Sequence, residues 1–345
     1  MHFSKADLMP DSMITISNND RLTLGQVAQM LSYEHEVQTA KELTRKFCLQ
    51  SSSDEVQKTG MEFLYMNGYY EDLELLIKKN KESINRSNQK WAKVYQVTMD
   101  RKLNRYPLNE LLMRAERIKT DDPALKIVIE FIKISIYYSL SEYGKLGNFL
   151  EKQQRLFEKV EDQYLLSFYN LRLYQNLFMY YLVRNEVIMA RKYAFRMLNQ
   201  STNPDTISRT HINLGLSYLF DTYYQAMYHM TEALKISEKF NLHRRMKCMK
   251  QNNIPFISAH FKNVDGITST DKSEQAHLEI AKGNFRQAEA ILDEIPINSP
   301  YRIYYLGMAK QDKSILLQAY NNFIEQRSDY FFSRLPLNAL KQLGA

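Results

Sequence analysis

The stretch Ala276-His277-Leu278-Glu279-Ile280-Ala281-Lys282-Gly283-Asn284-Phe285-Arg286-Gln287-Ala288 decides how the chain folds. It reads as an apolar helix, a short polar turn at Gly283-Asn284-Phe285, and a second helix that continues through Ile291 and Leu292 to Ile295. A small residue such as Ala288 at a helix crossing lets two helix backbones approach closely, so the segment predicts a tightly joined helix pair.

The same unit recurs outward from there. Asn213-Leu214-Gly215, Tyr218, a turn near Asp221-Thr222, then Ala226 and Ala233-Leu234 repeat the order of small and large positions, with a turn about one residue shorter. Weaker copies turn near Asn67-Gly68, Asn104-Arg105, Glu142-Tyr143 and Asn185-Glu186, and a final one follows Tyr305-Leu306-Gly307. The turns at 67, 104, 143, 185 and 221 are spaced by 37, 39, 42 and 36 residues, the period of helix-pair arrays. The spacing resembles the tetratricopeptide motif, and the expected fold class is all-α: tetratricopeptide-like helix-pair repeats in a right-handed superhelical solenoid.

Helix starts fit the same division. Asp122-Pro123, Asn203-Pro204 and Ser299-Pro300 each set a capping side chain before a proline suited to the first helical turn. The segment Asn263 to Ser273, with Asp265-Gly266 and several Ser and Thr, is the longest loop candidate and a possible hinge. These marks divide the chain into an N-terminal helical segment (1–50), a repeat array (51–263) and C-terminal repeats with a capping or dimerisation helix (264–345).

Only 10 Gly and 8 Pro interrupt the chain, which favours long helices over sheets and turns. The most apolar stretch, Ile127 to Leu140, contains Glu130 and Lys133 and is shorter than the roughly 20 residues of a membrane span, so it reads as a core helix. Met1 to Met13 carries Lys5, Asp7 and Asp11 without an apolar run and does not read as a secretory signal. A cytoplasmic protein without a membrane partner is expected. Cys48 and Cys248 are too few for a disulfide framework, have no metal-ligand spacing, and are expected to be buried thiols. The net charge of +7 permits an anionic partner, but the basic residues are scattered apart from Arg244, Arg245, Lys247 and Lys250, which read as a solvated helix face.

Catalytic signatures are missing. There is no GxxxxGK[ST] phosphate loop, and Gly144-Lys145-Leu146-Gly147 reads as a turn between helices. The seven histidines show no HExxH spacing, Glu34-His35-Glu36 reads as a solvated helix surface, and there is no GxSxG elbow. Neither an enzyme nor a cofactor is expected. Tyr and Phe recur at helical spacing, as in Phe168, Tyr169, Tyr174, Phe178, Tyr180 and Tyr181, a pattern of interhelical packing.

Several segments together resemble the arbitrium receptors (AimR-like), peptide-sensing regulators of phages and prophages: 41–49, Asn213 to Phe220, Asn252-Asn253 and Phe285 to Asp293. The resemblance implies a receptor for a short communication peptide that governs lysis versus lysogeny. Members of that family carry an N-terminal helix-turn-helix, which needs about three helices. Here only Leu22 to Leu31 looks like one helix of such a unit, Met1 to Asn19 is poor in periodic apolar positions, and sequence-specific DNA binding is not expected.

Amides and a guanidinium on the inner face of a helix array can hydrogen-bond the backbone of an extended peptide. Asn170, Arg172, Asn176, Asn213, Asn252 and Asn253 are the candidates for this peptide-binding role. The alternative is a scaffold that docks a partner protein in the same groove without a peptide signal. Leu335, Leu337, Leu340 and Leu343 give the last helix an apolar side for a homodimer or for capping the final repeat.

Overall fold

A computed structural model describes residues 22–344, the side chains of Glu151 and Gln154 excepted; the expectation for Met1 to Asn19 lies outside them. Every regular element among the described residues is helical. Five of the turns share one construction. At Gly68, Asn185, Asn241, Gly283 and Gln311 the chain turns left-handed, with φ between 51° and 85°. The next amide then closes a Schellman-type bond back to the helix, from Tyr69 to Leu64 O, Glu186 to Tyr181 O, Leu242 to Ser237 O, Asn284 to Glu279 O and Asp312 to Gly307 O, at 2.8–3.0 Å. In each case the following helix begins two residues after the left-handed one. Gly, Asn and Gln at these points satisfy orphan carbonyls that a helix end would otherwise leave open.

The chain forms two compact units. The first holds residues 22–140 and 148–172: α1 (Leu24–Glu34), α2 (Val37–Gln50), α3 (Asp54–Asn67), α4 (Tyr70–Lys81), α5 (Arg86–Lys102), α6 (Leu108–Arg117), α7 (Pro123–Ser139), α8 (Leu150–Phe157) and the start of α9 (Gln163–Val183). The division falls inside α9, after Arg172, and does not coincide with the expected boundaries at 50 and 263. Helix packing, rather than loop composition, draws the line.

In this first unit α1 opens with a capping box between Thr23 and Gln26. The sequence left this helix without partners for its apolar side; the structure supplies them. Leu24, Val27 and Leu31 are buried, α1 packs on α2, and a Cβ at Gly25 would stand 2.7 Å from Tyr164 Cβ. Glu34-His35-Glu36 is not a helix surface but the break between α1 and α2, with His35 extended. Asp122 caps α7 before Pro123, as expected.

The second unit holds residues 141–147 and 173–344. Its elements after α9 are α10 (Val187–Gln200), α11 (Pro204–Ser217), α12 (Tyr223–Lys239), α13 (His243–Cys248), α14 (Ile254–His260), α15 (Lys272–Ala281), α16 (Phe285–Asp293), α17 (Pro300–Lys310), α18 (Lys313–Asn321) and α19 (Arg334–Gln342). Fully buried alanines at 226, 233, 276, 288 and 319 form its helix crossings. A Cβ at Gly215 would meet Ala226 O at 2.9 Å, and one at Gly307 would meet Leu316 N at 3.0 Å, so both glycines stand where two helix backbones approach closely. Asn203 and Ser299 cap α11 and α17 before Pro204 and Pro300.

Some local expectations fail. The turn near 143 is a 3₁₀ helix, Tyr143–Phe149, entered through Ser141 at φ 60°, and it contains Gly144 and Gly147. Cys48 is buried, but Cys248 is exposed because it sits on the outer side of α13. In α19, Leu335 is buried and Leu340 and Leu343 pack on the unit's own core, so most of the leucine face covers the last repeat. No helix among the described residues is long and apolar enough to cross a membrane.

Candidate functional site

A proline builds the site. Pro255 has no N–H to give Gln251 O, and its ring crowds that carbonyl. The helix widens there into a single π turn, Met249–Asn253, between α13 and α14. The freed Gln251 carbonyl accepts instead from Ser269 Oγ at 2.6 Å. The Gln251 side chain accepts from Thr270 N and Oγ1 at 2.6 and 2.8 Å, and Asn252 Nδ2 donates to Asp271 Oδ2 at 3.2 Å. The long loop expected to hinge is thereby pinned to the π turn. Asp271 also caps α15, which sets Glu274 in that helix's first turn, where the dipole favours a carboxylate.

The π turn opens onto a cavity of about 210 Å³ lined by Leu216, Asn252, Asn253, Phe256, Glu274, Tyr301, Tyr305 and Phe332. The Tyr305 hydroxyl donates to Glu274 Oε1 at 3.3 Å. Burial, and after it the charge of Glu274, push the Tyr305 pKa well above the usual phenol range, so the hydroxyl stays a donor. The Tyr305 ring stacks on His277 with centroids 4.4 Å apart. Glu274 Oε2 is buried and has no hydrogen-bond partner; the nearest cationic candidate, His277 Nδ1, is 3.8 Å away and is itself unbonded. Leaving a buried acceptor unmet costs about 1–3 kcal/mol, more when it is charged. A ligand cation or N–H donor placed at Oε2 recovers that cost.

The two amides complement each other. Asn252 uses its Nδ2 on Asp271, leaving its carbonyl oxygen as an acceptor, while Asn253 Oδ1 accepts from Cys248 Sγ at 3.5 Å, leaving its Nδ2 as a donor. One acceptor and one donor on adjacent residues match the two halves of a peptide unit.

Of the six residues singled out by sequence, the structure brings Asn252 and Asn253 together in this cavity. Arg172 lies in the first unit, where its guanidinium contacts both oxygens of the fully buried Glu62 at 3.0 and 3.3 Å and lies over the rings of Tyr65 and Phe131. Asn170 is half-buried in the same unit. Asn176 and Asn213 belong to the second unit and do not line the cavity; Asn176 Nδ2 is a buried donor without a partner, and Asn213 is half-buried. Sequence reasoning missed Glu274 and the four aromatic rings. Pro255, two residues after Asn253, was the available signal, since a proline inside a helical pattern marks a disturbed turn. The basic cluster on α13 and the π turn is partly neutralised, Arg245 by Asp205 at 2.7 Å and Lys250 by Glu238 at 3.4 Å.

A family described as AimR transcriptional regulator-like matches residues 40–342. The chain belongs to that family. Among relatives of this AimR-like chain, an uncharacterised protein of Bacillus anthracis is 26% identical over 250 residues, which cover 69% of this chain and 92% of the relative. The AimR transcriptional regulator of Bacillus phage phi3T is 22% identical over 277 residues, 76% of this chain and 71% of the relative. Two solved structures share the fold at 18% identity. A phAimR structure with ligand has a TM-score of 0.77 and covers 94% of this chain and 98% of its own. A selenomethionine phAimR structure has a TM-score of 0.69 and covers 99% and 91%.

Proposed function

We propose that this AimR-like chain is a peptide-responsive regulator and not an enzyme, and that the cavity beside the π turn receives the peptide. The observation that carries the reading is the unpaired Glu274 Oε2, set among Phe256, Tyr301, Tyr305 and Phe332 and beside the open acceptor and donor of Asn252 and Asn253. An extended peptide would hydrogen-bond one of its peptide units to the two amides and lay an apolar side chain on the rings. A cationic group, an α-amino group or a basic side chain, would meet Glu274. A scaffold role is less well supported, because a protein partner needs a wide surface and this cavity is small.

The setting follows from the family and remains part of the proposal: a cytoplasmic receptor of phage or prophage origin whose peptide biases lysis against lysogeny. Direct operator binding is not part of it, because among the described residues α1, the helix-turn-helix-like segment, buries its apolar side against α2 and α3.

The test is thermal shift and calorimetry with a library of short peptides, half of them carrying a basic residue. Basic members are expected to raise the melting temperature, and Asn252→Ala should lose about tenfold or more in affinity, as when a buried polar partner is left unmet. A library in which neutral and basic peptides bind alike, or in which none binds, would sink the reading.

A further inference from the structure

The first unit holds a second, larger cavity of about 600 Å³ between the end of α6, the loop after it, α7 and α8. Among the described side chains its rim and walls carry six cationic groups, Lys119, Lys126, Lys133, Lys152, Arg155 and Lys159, against two carboxylates, Glu116 and Glu130. Glu130 does not cancel this excess. It sits half-buried at the wall and holds two ammonium groups at once, Lys133 at 3.0 Å and Lys152 at 3.2 Å, fixing them toward the cavity. Lys126 reaches only the fully exposed Asp121, at 3.9 Å. Lys119, Arg155 and Lys159 form no ion pair among the described residues.

Helix ends explain part of this pattern and fail on the rest. Lys119, Arg155 and Lys159 lie near the C-termini of α6 and α8, where cations are favoured by the dipole. Lys126 lies one turn into α7, near its positive end, where the dipole opposes a cation. A concave wall also concentrates the field of unpaired charges more than a convex surface would.

We infer that this cavity binds a small oligophosphate anion. Five of the six cations are lysines, which act as point charges suited to phosphate oxygens, whereas planar carboxylates are matched best by arginine forks. No aromatic side chain lines the cavity, so it lacks the stacking platform of a single-strand nucleic-acid site, and its concave form does not suit a duplex. Ile118, Ile129 and Leu156 supply an apolar wall that can take an uncharged flat group attached to the phosphates.

The test uses the full chain, inorganic tripolyphosphate and a fluorescent nucleoside triphosphate, in about 0.1 M salt, where only charges within about 10 Å act strongly. One saturable site is expected for each probe. The triple variant Lys119→Gln/Arg155→Gln/Lys159→Gln removes exposed charges that form no ion pair among the described residues. It should keep its helical circular dichroism and weaken both probes about tenfold or more, roughly 1.4 kcal/mol. Arg244→Gln/Lys247→Gln, in the other unit, should leave both affinities unchanged. Tighter binding of the nucleotide than of tripolyphosphate assigns the apolar wall to a base, and equal binding assigns the site to the phosphates alone; both support the inference. It is overturned if neither probe saturates, if the triple variant binds as the wild type does, or if a short duplex DNA displaces tripolyphosphate and loses affinity in the same variant.

Discussion

Each unit sets a glutamate beside a tyrosine hydroxyl, Glu62 fully buried and Glu274 half-buried with one oxygen buried, and the two end in opposite states. In the first unit Glu62 accepts from Tyr95 and is held by Arg172, so the carboxylate is fully met. Burial, and then the charge of Glu62, keep the Tyr95 phenol well above its usual pKa, which leaves it a donor. In the second unit Glu274 accepts from Tyr305 alone on one oxygen, and its other oxygen is buried without a hydrogen-bond partner in a residue that lines a cavity. A satisfied buried charge needs nothing more from its surroundings; an unmet one gains from a ligand donor. That contrast is why the proposed peptide site includes Glu274 and leaves out Arg172, whose guanidinium is held by Glu62.

The largest effect should come from breaking the satisfied pair. Arg172→Ala leaves Glu62 charged and buried, a loss of about 3–5 kcal/mol. Trp91, the one tryptophan, is buried in this unit and stacked on Tyr95, so its fluorescence reports the loss directly. Arg172→Met with Glu62→Leu should recover most of the stability, since an apolar pair of similar volume leaves no charge unmet. A single variant with wild-type stability would erase the contrast.

Next in size is Glu274→Gln. It should cost about tenfold in affinity for a basic peptide, while the melting temperature holds or rises, because an unpaired buried charge has been removed. A fall in melting temperature with affinity unchanged would make Glu274 the structural equivalent of Glu62.

The smallest effect is a pH difference between the units. Burial, followed by the charges of His211 and Arg191, holds His229 down to about 4; burial also lowers His211, its partner at 3.0 Å, and holds His260 down to about 4. Unfolded histidine takes a proton first, near pH 6.5, so the stability these groups allow is present above that value and is lost as pH falls toward about 4. Asp329, raised to about 6 by burial, works the other way over part of the same range. All these groups lie in the second unit. Moving from about pH 7 to about pH 5 should therefore lower the far-ultraviolet melting transition more than the Trp91 transition, and His211→Asn should reduce the difference. Coincident shifts in both signals would mean that the units unfold as one.

The fold was legible because its signals are local. A left-handed residue after a helix, a capping side chain before proline, and a small residue at a crossing act within a few positions of chain, and Gly283, Asn203-Pro204 and Gly215 are found where the spacing put them. Asn252 and Asn253 stand out in the sequence as neighbouring amides on one helical stretch, and the fold sets both on one cavity. Glu274, Tyr301, Tyr305 and Phe332 were not, since nothing in their own neighbourhoods distinguishes them from ordinary helix residues.

The sequence by itself determined that this chain is a helix-pair array and where several of its turns fall, because backbone capping and helical period depend on neighbours in the chain. Only the tertiary structure decided which polar groups are met and which are left open. Arg172 and Glu62 lie 110 positions apart and satisfy each other. Glu274 and Tyr305 lie 31 apart, and their meeting still leaves Oε2 without a partner. Whether a buried charge is neutralised depends on what stands within about 4 Å of it in space, and that distance is set by how the helices pack.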